Sequence, residues 1–213
     1  MKIAKLLHAE FPTDVLTPEL TQVLFQGRTL DSRKSLLKRA CQKEELIRLR
    51  NGLYLLNEED RKYEVNLYSI SNMMLTPSYV SLESALSHYN LIPEAVYTTT
   101  SVTPKTSLEQ ETVIGHFSFT HLKAEHFNHG FYQIKKDYNF FLMATPLKAL
   151  VDTLDLHLKN YQSLDELKGD LRFDWDEFVS YREFVNKNKV KEMKEKYRSG
   201  RMMKMLGLLE KGL

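Results

Sequence analysis

The stretch Leu30-Asp-Ser-Arg-Lys-Ser-Leu-Leu-Lys-Arg-Ala-Cys-Gln-Lys43, followed by Leu46-Ile-Arg-Leu-Arg50, Asn51-Gly52 and Leu53-Tyr-Leu-Leu56, changes period halfway along. Its first half is helical. Leu37, Ala40 and Cys41 recur at i, i+3 and i+4 and form one apolar seam. Its second half alternates in the β manner, and Asn51-Gly52 is the strongest short hairpin signal. Upstream, Thr17 is placed to cap a helix with Pro18 at its first position and Glu19 at the positive end of the dipole. Leu20, Val23 and Leu24 are its expected apolar stripe, and Gly27 ends it. Helix, tight turn, helix and hairpin is the order of a winged helix-turn-helix.

Charge agrees with that reading. The 213 residues carry 30 Lys and Arg against 28 Asp and Glu, a net of +2. From Gln26 to Gly52, eight bases face three acids; from Arg182 to Leu213, ten face four. Two basic regions therefore flank an acidic middle, and local basicity is an electrostatic footprint for nucleic acid. At about 100° per residue, Ser32, Ser35, Lys38, Arg39 and Gln42 point away from the Leu37 seam. Lys34 sits at its edge and Arg33 turns toward the core. The start of such a second helix enters the major groove, where Lys and Arg meet phosphates or guanine edges. The candidate DNA contacts are Arg28, Ser32, Lys34, Ser35, Lys38 and Arg39, with Arg48 and Arg50 expected to share one face of the wing strand.

Beyond residue 60 the pattern is mixed. A helix is expected from Tyr63 to about Leu75, ended by Thr76-Pro77. A short one follows from Leu82 to about Tyr89, with Ser81 as its cap. Strands are expected over 95–103, 112–114, 116–122, 131–135 and 138–143, punctuated by Gly115 and Gly130. Thr145 and Pro146 start a helix to about Asn160 with Leu147, Leu150, Val151, Leu154 and Leu158 on one stripe. The tail from Trp175 reads as mostly helical, broken at Ser199-Gly200. The expected fold class is α+β: a winged helix-turn-helix over residues 1–60, then a mixed domain over 61–213 with a small, mainly antiparallel sheet and a basic helical tail.

Several function classes recede. The single Cys41 forms no internal disulfide, and with no signal peptide after Met1 the expected location is a reducing cytoplasm. No run approaches the roughly 18 apolar residues of a membrane span. Four histidines, His116, His121, His126 and His129, fall close together, but no cysteine joins them. His116 and His121 are five apart on one strand, so they point to opposite faces. Strand-edge and loop histidines are the favoured reading, with no metal site and no cofactor. Glu166-Leu-Lys168 and Glu192-Met-Lys194 have the acid-spacer-lysine spacing of metal nucleases, which a charge-rich helical tail also produces. Ser81 and Ser84 read as a helix cap and a first-turn residue rather than as a nucleophile with His88 as its base. No catalytic residue is assigned, and the chain is not expected to be an enzyme. In the tail, Val190, Met193 and Tyr197 form a core stripe, while Met202, Met203 and Met205 look exposed.

Four stretches together resemble a known family: Glu45-Leu-Ile-Arg-Leu-Arg-Asn-Gly-Leu-Tyr54, Tyr79-Val-Ser-Leu-Glu-Ser-Ala-Leu-Ser-His-Tyr-Asn-Leu-Ile-Pro-Glu94, Gly115-His-Phe-Ser-Phe-Thr-His121 and Ala144-Thr-Pro-Leu-Lys-Ala-Leu-Val-Asp152. In order and spacing, over roughly residues 15–155, they are similar to the AbiE-type antitoxin and transcriptional-regulator family of bacterial abortive infection, a type IV toxin–antitoxin system. The family usually has Glu where this chain has Leu147. The resemblance implies an amino-terminal winged domain that binds inverted repeats in double-stranded promoter DNA and represses. It further implies a carboxy-terminal domain that counters a nucleotidyltransferase-like toxin without a stable complex. Some relatives stand alone, without a toxin.

Overall fold

The computed structural model describes residues 2–213. The chain is α+β, with a three-stranded antiparallel sheet near its start and a six-stranded mixed sheet in its body. It opens with α1 (Ile3–Glu10) and β1 (Val15–Leu16), neither expected from the sequence. α1 buries Ile3, Ala4 and Leu7, a three-residue stripe too short to register as a period. Next come α2 (Pro18–Leu24), α3 (Leu30–Gln42), β2 (Leu46–Arg50) and β3 (Leu53–Leu56).

Local chemistry sets these boundaries. The Thr17 hydroxyl accepts the Leu20 N–H at 3.3 Å, and the Thr29 hydroxyl accepts that of Ser32 at 3.2 Å. Each satisfies an amide the helix leaves unpaired. The stripe of α2 differs from expectation: Thr21 and Phe25 are buried, whereas Val23 is exposed. In the hairpin turn Gly52 has φ +83°, and a Cβ there would lie 2.9 Å from Pro18 Cγ. The turn therefore needs glycine both for its backbone and for its seat on α2.

The small sheet, in the order β1-β3-β2, is covered on both faces. On one face Leu16, Leu46 and Leu56 pack with Leu7, Leu37 and Ala40. On the other, Val15, Leu49, Leu53 and Leu55 meet Ile70 and Met74 of α4 (Leu67–Met74) and Phe117 and Phe119 of β7 (Gly115–His121). The chain passes from one sheet to the next through a 3-10 turn at Glu58–Asp60. There the buried Asp14 carboxylate accepts the N–H of Lys62 at 3.0 Å and of Tyr63 at 2.7 Å, and contacts His8 Nε2 at 2.7 Å. Because Tyr63 is held in this way, α4 starts at Leu67 instead, where the Asn66 side chain accepts the Ser69 N–H at 3.0 Å.

The body continues with β4 (Tyr79–Val80), α5 (Leu82–His88), β5 (Thr98–Thr103), β6 (Leu108–Thr112), β7, α6 (Ala124–Phe127), β8 (Phe131–Lys136), β9 (Asn139–Ala144) and α7 (Pro146–His157). Then follow α8 (Leu164–Leu171), α9 (Trp175–Ser180), α10 (Lys187–Lys196) and α11 (Gly200–Gly212). The strand order is β6-β7-β5-β4-β9-β8. This sheet is larger than expected, and two of its pairings, β5 with β7 and β4 with β9, are parallel. β5 and β7 run parallel because β6 lies between them in sequence yet pairs with the far side of β7. β6 replaces the expected strand at 112–114. Its Leu-Glu-Gln-Glu-Thr sequence is polar, as suits an exposed sheet edge.

α7 is the buried centre of the body. Leu147, Leu150, Val151 and Leu154 are all in the core. The helix stops three residues short of Asn160, because Leu158 takes a left-handed cap at φ 56° and turns its side chain to solvent. Met202 and Met205 are buried with the Val190, Met193 and Tyr197 stripe; of the tail methionines that looked exposed, only Met203 is.

Two predictions follow from these contacts. Asp14→Ala leaves two backbone amides and His8 without their acceptor. It should lower unfolding stability by roughly 1.5–3 kcal/mol in a denaturant titration. The second concerns His157 Nε2, which lies 3.4 Å from Glu83 Oε1 and joins α7 to α5. The bond to Glu83 raises His157 above its ordinary 6.5, and the bond to His157 lowers Glu83 below its ordinary 4.5. The His157 contribution is complete below 6.5 and fades as pH rises through the raised value. The Glu83 contribution is complete above 4.5 and fades as pH falls through the lowered one. The melting-temperature gap between parent and His157→Gln should therefore be widest at about pH 5–6 and narrower at pH 8.5.

Candidate nucleic-acid interface

α3 presents two chemically opposite faces. Leu37 and Ala40 are buried, whereas Lys34, Ser35, Lys38 and Arg39 are exposed and Ser32 is half-exposed. Arg33 is half-buried and its Nε has no hydrogen-bond partner. Arg28 is exposed in the turn before α3, just past Gly27 at φ +84°. A groove of about 400 Å³ between the ends of α2 and α3 brings Arg28 and Arg39 together with Lys43. Glu45 is the one acid on its wall. Lys43, outside the candidate set, is the C-cap of α3. Cys41 lies part-buried on the seam, and desolvation raises its thiol, so it stays protonated.

The two arginines of the β2 strand part company. The β2–β3 register shifts between Arg48 and Arg50, which breaks strict alternation. The Arg48 guanidinium is exposed and bonds Asn51 at the hairpin turn. The Arg50 guanidinium is half-buried and donates to the Met74 carbonyl at the end of α4. The expectation that they share a face does not hold, and Arg50 serves the junction between the two sheets.

The basic tail is partly spoken for as well. Lys189 pairs with Glu192 and Lys194 with Glu210. Arg201 donates to the Leu154 carbonyl at 2.6 Å and the Asp155 carbonyl at 2.9 Å. Lys187, Lys191, Lys196 and Arg198 remain exposed without an acidic partner within 4.0 Å among the described residues.

A second polar cluster lies in the body and is closed to solvent. Lys148, fully buried on α7, binds Asp152 one turn on and donates to Tyr197 Oη at 2.8 Å. The other Asp152 oxygen accepts from Tyr79 Oη at 3.0 Å and Ser81 Oγ at 2.8 Å. Ser81 therefore stands at the start of α5 without capping it through its side chain. Burial pulls the Lys148 ammonium down, against the pull of Asp152, and pushes the Tyr79 and Tyr197 hydroxyls up. The sequence does not signal this pair: Lys148 and Asp152 lie off the Leu147–Leu150–Val151–Leu154 stripe, on the side a helical wheel reads as polar, and their burial rests on mutual pairing.

His126 stacks on Tyr197 at 4.0 Å and bonds Asp155 through Nδ1 at 2.9 Å. His129 meets the same ring edge-on, and burial pushes it down to about 4, so it is neutral near pH 7. His116 and His121 lie on the exposed part of β7, His121 bonding the Lys105 carbonyl at 2.9 Å. Among the described residues no three His, Cys, Asp or Glu side chains converge to hold a metal ion. No helix among them is long and apolar enough to cross a membrane. No protein-family model matches the chain, and no curated protein matches its sequence.

Asp152→Ala strands a buried ammonium and the hydroxyls of Tyr79, Ser81 and Tyr197. It should cost about 3–5 kcal/mol of stability by equilibrium unfolding, while exposed substitutions on α3 should cost under about 0.5 kcal/mol.

Proposed function

We propose that this chain is a DNA-binding transcriptional regulator whose amino-terminal unit works as a winged helix-turn-helix. The observation that carries the reading is the split of α3: a buried Leu37–Ala40 seam behind an exposed face of Lys34, Ser35, Lys38 and Arg39. A helix held rigidly by its apolar side, with cations and hydroxyls outward, suits entry into the major groove. Arg28 and Lys43, at either end of α3, are placed to hold the flanking phosphate backbone, and Arg48 at the hairpin tip supplies a wing contact. Arg50 is reassigned to the junction. The basic exposed lysines of α10 provide a second, weaker electrostatic surface.

The similarity of four stretches to AbiE-type regulators extends the proposal. On that basis the operator consists of inverted repeats in the protein's own promoter, and the body of residues 61–213 counters a nucleotidyltransferase-like toxin. Two copies on such an operator would sit about one helical turn, or a multiple of it, apart. A stand-alone regulator without a toxin is the alternative within the same reading.

The test is binding to the DNA just upstream of its own gene, titrated at several salt concentrations beside a scrambled duplex. Selective binding with a steep salt slope is expected. Lys38→Ala and Arg48→Ala should each weaken binding and flatten the slope by about one unit. Arg50→Ala should leave the slope unchanged. No selectivity at low salt would reduce the amino-terminal unit to a scaffold. Growth rescue on co-expression with a nucleotidyltransferase-like toxin tests the second half separately.

A further inference from the structure

The junction between the two sheets holds a groove that the DNA reading does not use. Its main chamber, about 470 Å³, opens between residues 62–68, Val96–Tyr97 and the β8–β9 turn at 136–139. A recess of about 220 Å³ continues it under Tyr138 and Phe140 toward Pro12 and Leu55. Small-molecule sites typically occupy about 300–1,000 Å³ and favour such junctions.

The lining combines four tyrosines with charged and polar side chains. Tyr63, Tyr68, Tyr97 and Tyr138 all face the main chamber. Tyr97 is 88% exposed and Tyr138 62%. Among the described residues nine large apolar side chains are exposed, and four of them, Met73, Tyr97, Tyr138 and Phe140, line this groove and its recess. Clustered exposed apolar surface of this kind marks a binding site. The Tyr63 and Tyr138 rings are 4.8 Å apart and tilted by 59°, and Tyr63 also meets His8 at 6.2 Å, so the faces open to a ligand are chiefly those of the exposed Tyr97 and Tyr138. Charge around the rim cancels, with Lys62 and Lys136 against Glu64 and Asp137. An ion of either sign gains little there, whereas a flat neutral ring gains from exposed aromatic faces.

We propose that this groove binds an uncharged planar aromatic molecule of about the size of a bicyclic heterocycle. Such a ligand would rest on α4, which begins at the groove with Asn66 and ends at the carbonyl that takes Arg50 of the hairpin. The site is thereby tied to the element that carries Arg48, though ligand binding is measured without DNA and stands apart from the DNA reading.

Titration with quinoline, followed by protein-observed NMR at neutral pH, tests the proposal beside cationic N-methylquinolinium and anionic 2-naphthoate. Quinoline should shift signals of residues 62–68 and 136–140 and bind more tightly than either charged probe. The Tyr97→Ala/Tyr138→Ala double variant should weaken it about tenfold, and Tyr97→Phe/Tyr138→Phe should retain it. Both side chains are exposed, so the melting temperature should hold in either variant. Failure to bind, equal affinity in the alanine variant, or preference for a charged probe would overturn the proposal. So would a dimer, seen by sedimentation, that the alanine variant abolishes while no probe binds, since a second copy would then fill the groove.

Discussion

The hairpin β2–β3 is buried from both sides, and the rest of the architecture depends on that. Leu46 and Leu56 anchor α3 and α1, while Leu49, Leu53 and Leu55 anchor the body through α4 and β7. Each such leucine contributes roughly 1.5–3 kcal/mol by leaving water. The summed burial far exceeds what any one surface ion pair offers. The helix that carries the candidate DNA contacts is therefore not on a free-swinging module. Its orientation is passed through one sheet to the body, and Asp14 and Arg50 fix the two places where polar backbone crosses that seam.

The same logic explains how charge is spent. A count of bases treats Arg48, Arg50 and Arg201 alike, but their surroundings separate them. Arg50 and Arg201 each satisfy backbone carbonyls that would otherwise be buried or half-buried without a donor. A charged donor to such a carbonyl is worth more to the fold than an exposed guanidinium is. Lys148 is the extreme case: its charge is wholly internal, and the Asp152, Tyr79, Ser81 and Tyr197 atoms around it form a closed set of donors and acceptors. A closed set of this kind can specify how α5, α7 and α10 meet, because a half-satisfied version would be costlier than an apolar core.

Much of the amino-terminal order was legible because caps, a helical seam and Asn51-Gly52 are local signals. Thr17 acts within three residues of its place in the chain, and the turn at Gly52 is set by its own backbone, although its close seat against Pro18 is a tertiary contact. α1 escaped because an eight-residue helix with three buried side chains has too few turns to show its period. β6 escaped because a polar edge strand lacks the alternation that reveals a half-buried one, and its pairing with β7 is a tertiary fact. The split between Arg48 and Arg50 also lay beyond reach, since a register shift depends on the partner strand. Parity along a strand predicts facing only while the ladder is regular.

The groove at the junction follows from the same geometry. Two sheets that share one apolar seam cannot be flush along their whole length, because the chain must cross between them over residues 57–66. Asp14 draws that crossing segment toward β1, and the β8–β9 turn lines the groove opposite it. The space left between them is walled by whatever side chains the crossing and the turn carry, here Tyr63 and Tyr138. Tyr63 also meets His8 of α1 at 6.2 Å, whereas Tyr138 is largely exposed. A crossing built only for solvent would favour short polar residues, as exposed connections usually do. The aromatic wall lies against α4, a helix that packs on both the body and the hairpin.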